Sequence, residues 1–171
     1  MMDTAMLPEP GDPGTYRVAV VCLGNICRSP MAHIVLSERV AEAGLAGRVT
    51  VDSFGTGDWH DGGPMDHRAA ATLTGEGYDP TRHRARQFTH REAHGFDLVL
   101  AMDRSNAEDL RALGVSPDRL RLFRAFDPEG GPDAEVPDPY YDDDGFGDVL
   151  AMVERTSARL VDALERQTSP A

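Results

Sequence analysis

Residues 18–23 read Val-Ala-Val-Val-Cys-Leu, six apolar side chains in a row. A strand with one wet face alternates apolar and polar residues. A continuous run rich in β-branched residues belongs in the middle of a sheet covered on both faces. The run stops at Gly24-Asn25, and Ser29-Pro30 then opens a helical pattern, with Ser suited to capping and Pro to the first turn. Apolar residues at 31, 34, 35 and 40 give that helix a buried face, and Gly44 ends it near residue 43. A doubly buried strand that feeds straight into a helix is the opening of a right-handed βαβ unit.

The pattern recurs along the chain. Strands are predicted over 49–54, 96–102 and 120–123, and helices over 66–75, 104–113 and 146–164. The expected fold class is α/β: three layers, with a four-stranded parallel sheet and helices on both faces. A loop at 55–64 carries the chain's one Trp, Trp59; residues 81–89 are basic and irregular, and 127–147 form a long acidic loop. Residues 1–15 hold three Pro and two Gly without apolar periodicity and are expected to be a flexible tail, which leaves 16–168 as a single domain. The 171 residues suit one domain of ordinary size, expected to be monomeric on its own core.

Charge and composition narrow the function. The net charge of −12, from 29 acidic and 17 basic side chains, argues against a nucleic-acid partner, whose phosphates need cations. All 17 basic residues are Arg, so a Walker-type P-loop or a Lys Schiff base is excluded. No apolar run approaches the roughly 20 residues of a membrane span, and no basic-then-apolar signal opens the chain. With two cysteines, too few for a disulfide framework, a cytoplasmic location is expected, export without a signal peptide being the alternative. Metal readings fail on spacing. His90 and His94 lack the adjacent Glu of a zinc-protease helix, and the acidic run at 142–144 lacks the first and twelfth ligands of a calcium loop.

The two cysteines, Cys22 and Cys27, stand in Cys22-Leu23-Gly24-Asn25-Ile26-Cys27-Arg28-Ser29, at the carboxyl end of the first strand. In an open parallel sheet, ligands bind beyond the strand ends and over helix N-termini. A tight loop there makes a cradle for a tetrahedral dianion: successive amides form an anion nest, the helix adds its positive end, and Arg28 grips two oxygens with a planar fork. Gly24 permits a sharp turn, and Asn25 tolerates a left-handed backbone. A Cys22 thiolate under a bound phosphate is placed to attack phosphorus. With 17 Arg and 17 Ser plus Thr in the chain, chance supplies about 0.02 matches to this spacing. A phosphoryl-transfer site also needs an acid for the leaving oxygen. Among the carboxylates of the acidic loop, Asp138 differs, because Pro137 and Pro139 flank it and Tyr140 and Tyr141 follow.

Five segments, VCLGNICRSPMA at 21–32, VDSFGTGDWH at 51–60, HRARQFT at 83–89, LAMDRSN at 100–106 and VPDPYYDD at 136–143, resemble in order the low-molecular-weight protein-tyrosine phosphatases. The resemblance implies a phosphate-binding loop between strand 1 and helix 1, and hydrolysis of phosphotyrosine in proteins through a phosphocysteine. It makes Cys22 the nucleophile, Arg28 the phosphate and transition-state ligand, and Asp138 the acid and then the base. Ser29 would hydrogen-bond the Cys22 sulfur. Asn25, Ser53 and His83 would form a buried network that fixes the loop. Trp59, Tyr140 and Tyr141, with Leu23 and Ile26, would wall the slot. No metal or cofactor is implied, and phosphate or vanadate would inhibit. Phe54 and His33 depart from the family pattern, away from the chemistry.

Other readings share the loop. Arsenate reductases need further cysteines, and none follows Cys27. Protein-arginine phosphatases tend to carry Thr where Ile26 stands, and Ile favours an aromatic ring. A non-catalytic phosphate-binding module is a third reading; the joint presence of Cys22, Arg28 and Asp138 argues against it. Cys27 has two readings: a small packing side chain, or a redox partner that traps oxidised Cys22 as a reversible disulfide.

Overall fold

A computed structural model describes residues 7–169. Four parallel strands, β1 (Tyr16–Cys22), β2 (Val49–Gly55), β3 (Leu98–Ala101) and β4 (Leu120–Leu122), pair in the order β2-β1-β3-β4. The helices are α1 (Arg28–Glu42), α2 (His67–Gly75), α3 (Arg104–Ala112) and α4 (Phe146–Thr168). Each expected strand and helix is present, with ends shifted by a few residues. The largest shift is the last helix, which runs on to Thr168.

The central strand shows why a continuous apolar run is needed. Val18, Val20 and Cys22 join the core made with α1, α2 and α4. Ala19 and Val21 join the opposite core, with Phe54, Phe88, Phe96 and Leu110 of α3. Both sides of β1 are therefore dry, and a polar residue at any of these positions would be buried without a partner. The strand is also the branch point of the sheet. Val18 sits beside Val51 of β2 on one side and Leu98 of β3 on the other. Chain progression reverses across it, so its carboxyl end opens a crevice between diverging connections.

Residues 7–15 do not behave as a free tail: Leu7 is 7% exposed, the Tyr16 hydroxyl donates to the Pro8 carbonyl at 2.8 Å, and the Gly11 amide donates to Asp97 Oδ1 at 2.8 Å. One buried side chain and two hydrogen bonds tie the strap down, a signal that carries no periodicity. Residues 1–6 of that expected tail lie outside the described residues. Ser29 is also not the cap of α1. Cys27 holds that position without a side-chain hydrogen bond, because the Ser29 hydroxyl is engaged in the loop below. Phe54 packs edge-on against Phe88 and Phe96 at centroid distances of 5.3 and 5.5 Å, with Arg86 over its ring.

Candidate active site

Between β1 and α1 the chain curls around one point. The carbonyls of Cys22, Leu23 and Ile26 accept from the amides of Thr56, Gly57 and Asp66, and His83 Nε2 donates to the Asn25 carbonyl at 2.7 Å. In a trans peptide the N–H points away from the C=O of its own plane. The amides of Leu23, Gly24, Ile26 and Cys27 are therefore turned to the inside of the curl. The amides of residues 23–28 donate to no protein acceptor among the described residues. The first turn of α1 adds its free amides at the same place, so the concave side attracts an anion.

The curl depends on Asn25, the one described non-glycine residue with positive φ, at 57°. Its fully buried side chain donates from Nδ2 to Ser29 Oγ at 2.8 Å and accepts from the Arg86 amide at 2.9 Å. Gly55 lets the loop pass over β2: a Cβ there would lie 2.8 Å from the Leu23 carbonyl oxygen and 3.0 Å from the Asn25 nitrogen. His83 donates through Nε2, so its proton resides there. Burial, against the pull of the Asn25 hydrogen bond, pushes this imidazole down to about 4, with His33, Arg86 and Arg84 adding to the shift. Ser53 is buried, but its hydroxyl makes no hydrogen bond to the loop among the described residues. The network expected from Asn25, Ser53 and His83 instead runs through Asn25, His83, Ser29 and the Arg86 amide. Ser53 contributes its carbonyl to Arg86 Nε.

At the floor, the Cys22 sulfur lies 3.0 Å from Ser29 Oγ, which also reaches the Phe54 carbonyl at 3.1 Å. Asn25 donates to this hydroxyl, so its single proton has two destinations: the Phe54 carbonyl when sulfur is a thiol, or the sulfur when it is a thiolate. Arg28 is 3% exposed. Its Nη1 donates to Asp103 Oδ2 at 2.7 Å and to the Val136 carbonyl at 3.0 Å, and Nη2 stands 3.7 Å from Asp138 Oδ2. Burial disfavours the charge, but the Cys22 sulfur, Asp103 and Asp138 outweigh it and hold the guanidinium above its ordinary range. With Nη1 committed to Asp103, the Nε and Nη2 edge is left for the pocket. Burial also pushes the Cys27 thiol up, helped by Asp66, Cys22 and Asp138.

The curl floors a pocket of about 280 Å³. Cys22, Leu23, Gly24, Ile26, Cys27 and Arg28 line it from the loop, and Trp59, Asp138, Tyr140 and Tyr141 from the far side. Cys22 is 3% exposed, while Trp59 and Tyr141 are 70% and 89% exposed, so a narrow base opens between aromatic walls. Asp138 caps the 3-10 turn Pro139–Tyr141, accepting from the Tyr140 amide at 3.1 Å. Its side chain is 36% exposed and faces Arg28 across the base. Sequence reasoning missed two residues. His60 lines the wall, its ring 3.2 Å from where a Gly24 Cβ would stand. Asp103 anchors Arg28, and the position of an acid at the start of a helix announces only its capping bond to Asn106.

The family model "Low molecular weight phosphotyrosine protein phosphatase" matches residues 17–170. A low molecular weight protein-tyrosine-phosphatase of Streptomyces coelicolor is 46% identical over 158 residues, covering 90% of this chain and 96% of the relative. Low molecular weight protein-tyrosine phosphatase A of Mycobacterium tuberculosis is 45% identical over 152 residues, 88% of this chain and 92% of its own. The crystal structure of YfkJ from Bacillus subtilis superposes with a TM-score of 0.85 at 32% identity, over 93% of this chain and all of the other. With a matching model over nearly the whole domain, relatives this similar along their full length, and a cysteine–arginine loop at the predicted strand end, the chain belongs to the low molecular weight phosphotyrosine protein phosphatase family.

Proposed function

We propose that this chain hydrolyses phosphotyrosine in proteins in two displacements at Cys22. The carrying observation is that the Cys22 sulfur, the Arg28 guanidinium and the Asp138 carboxyl converge on one pocket. In the first step the Cys22 thiolate attacks phosphorus. The bond from phosphorus to the tyrosine oxygen breaks, and Asp138 gives that oxygen a proton. The amides of the curl and the free edge of Arg28 hold the equatorial oxygens, whose charge peaks in the transition state. In the second step Asp138 takes a proton from water, the water oxygen bonds to phosphorus, and the thiolate leaves with the Ser29 proton turned toward it. Phosphate and a free enzyme result.

The walls support an aryl substrate. Trp59, Tyr140 and Tyr141, with Leu23 and Ile26, give a flat ring apolar contact on its way to a buried sulfur. A phosphorylated Ser or Thr has a short stem and would bring its backbone against the rim. The proposed partners are therefore phosphotyrosine-bearing proteins, with phosphate and vanadate as competitors for the cradle. Two free cysteines fit a reducing compartment such as the cytoplasm, and no helix among the described residues is long and apolar enough to cross a membrane.

Cys22→Ser tests the chemistry. Turnover is expected to vanish while phosphate and vanadate still bind, because the amides and Arg28 remain; retained turnover rejects the nucleophile. Asp138→Ala is expected to slow poor leaving groups by about 10²–10⁴-fold and activated aryl phosphates far less. Equal loss on both places the acid elsewhere.

A further inference from the structure

The proposed acid stands on a short irregular piece of chain just past the buried Val136. Residues 138–141 carry one 3-10 turn, and the Asp138 carboxylate reaches the phosphate loop directly only through Arg28, at 3.7 Å. The residue that braces this segment is Arg68, in the first turn of α2. Its Nε and Nη2 fork onto Asp66 Oδ1 and Oδ2 at 3.1 and 3.0 Å. Nη2 also donates to the Tyr140 carbonyl at 3.0 Å, and Nη1 to Asp143. The guanidinium lies 5.5 Å from the Tyr140 ring centroid and 4.9 Å from that of Phe146, the first residue of α4.

Both ends of this contact lead to the active site. The Asp66 amide donates to the Ile26 carbonyl of the phosphate loop at 3.0 Å. The Tyr140 amide donates to Asp138 Oδ1 at 3.1 Å. A connected path thus runs from Ile26 through Asp66, Arg68 and Tyr140 to Asp138. Exposed ion pairs hold little, but this one differs. The Asp66 side chain is 8% exposed and that of Arg68 is 24% exposed, and the fork is bidentate and stacked on two rings. Arg68 itself does not line the pocket.

We propose that Arg68 is a positioning residue for the general acid: by gripping Asp66, the Tyr140 carbonyl and the Tyr140 ring, it sets where the Asp138 carboxyl stands relative to Cys22. The inference rests on Asp138 being the acid. Without Arg68 the segment 138–143 loses its brace, whereas the curl at 22–28 keeps its bonds to Thr56, Gly57, Asp66 and His83. Protonation of the leaving group suffers, and anion binding does not.

The test measures kcat/KM over aryl phosphates of rising leaving-group basicity for wild type, Arg68→Met, Arg68→Lys, Asp138→Ala and the Arg68→Met/Asp138→Ala pair. Inhibition by inorganic phosphate is read alongside. Arg68→Met is expected to lose about tenfold on phenyl phosphate and about twofold or less on p-nitrophenyl phosphate, with phosphate inhibition unchanged. Arg68→Lys keeps the charge but not the fork and falls between; it carries the test if the Met variant does not fold. In the Asp138→Ala background, Arg68→Met should cost no more than about a further twofold, since its effect passes through the missing carboxyl. An unchanged leaving-group dependence in both Arg68 variants overturns the proposal. So do losses that multiply in the pair, or phosphate inhibition that weakens in step with kcat/KM. If Asp138→Ala itself leaves the leaving-group dependence unchanged, the acid assignment falls, and this inference falls with it.

Discussion

Cys27 shows how much a single side chain can carry in a loop this tight. It lines the same pocket as Cys22, and both cysteines are free. Burial keeps its thiol protonated, so it does not compete with Cys22 for phosphorus. The same protonation slows its attack on an oxidised Cys22 without forbidding it, since that attack needs only transient thiolate. Mild peroxide is expected to inactivate the wild type reversibly. In Cys27→Ser, most of the lost activity should resist thiol treatment, because a sulfenic acid with no neighbour proceeds to sulfinic acid. Equal recovery of the two proteins would reduce Cys27 to a packing residue. The residues legible in the sequence were those whose task is local. Asn25 was read as a left-handed position and has φ 57°. Asp103, Arg68 and His60 carry no such local mark: Asp103 and Arg68 hold segments far away in the chain, and His60 reaches the pocket wall only through the fold. The Arg28–Asp103 contact spans 75 positions. Ser29 was read as a helix cap, a local habit of serine, but the buried sulfur, the Asn25 amide and the Phe54 carbonyl engage it instead.

At the level of elements, the phosphate loop is shaped by the strand beside it. Gly55, the last residue of β2, is bonded through its amide to the Arg86 carbonyl and through its carbonyl to the Phe88 amide, so it cannot move aside. Its missing side chain is the room in which Leu23 and Asn25 pass. Gly55→Ala is expected to shift the loop by a few tenths of an ångström to an ångström, lower stability by about 1–3 kcal/mol, and reduce kcat/KM by roughly 10–100-fold. Wild-type phosphate affinity in that variant would show that the loop does not lean on β2. Strands and helices were legible because periodicity and breakers are properties of short windows. Residues 83–88 show only as basic and irregular in sequence: they run alongside β2 with a single bridge, Gly55 to Gln87, yet they supply the His83 and Arg86 bonds that fix Asn25. A segment that holds one contact at a time leaves no repeat to detect.

For the molecule as a whole, acidity acts through the support of the site. The His83 imidazole is pushed down to about 4 from an unfolded value near 6.5, so the unfolded chain takes up its proton first. The stability this group provides is complete above about pH 6.5 and drains away as pH falls toward 4. His33, also pushed down by burial, adds to the same window. Asp127, held down to about 2 by Arg155 and Arg124 against its burial, contributes its loss only at lower pH. Thermal unfolding should therefore show a falling midpoint between pH 6.5 and 4, flattened in His83→Gln; a midpoint independent of pH there would mean His83 is solvated. A Cβ on Gly57 would collide with the Trp59 ring, so that indole is folded back over its own loop at the mouth of the pocket. It is the chain's sole tryptophan. Excited where tyrosine does not absorb, the protein thus emits from the doorway of the site, and a ligand that settles against that ring is expected to change light the unlabelled enzyme already gives off.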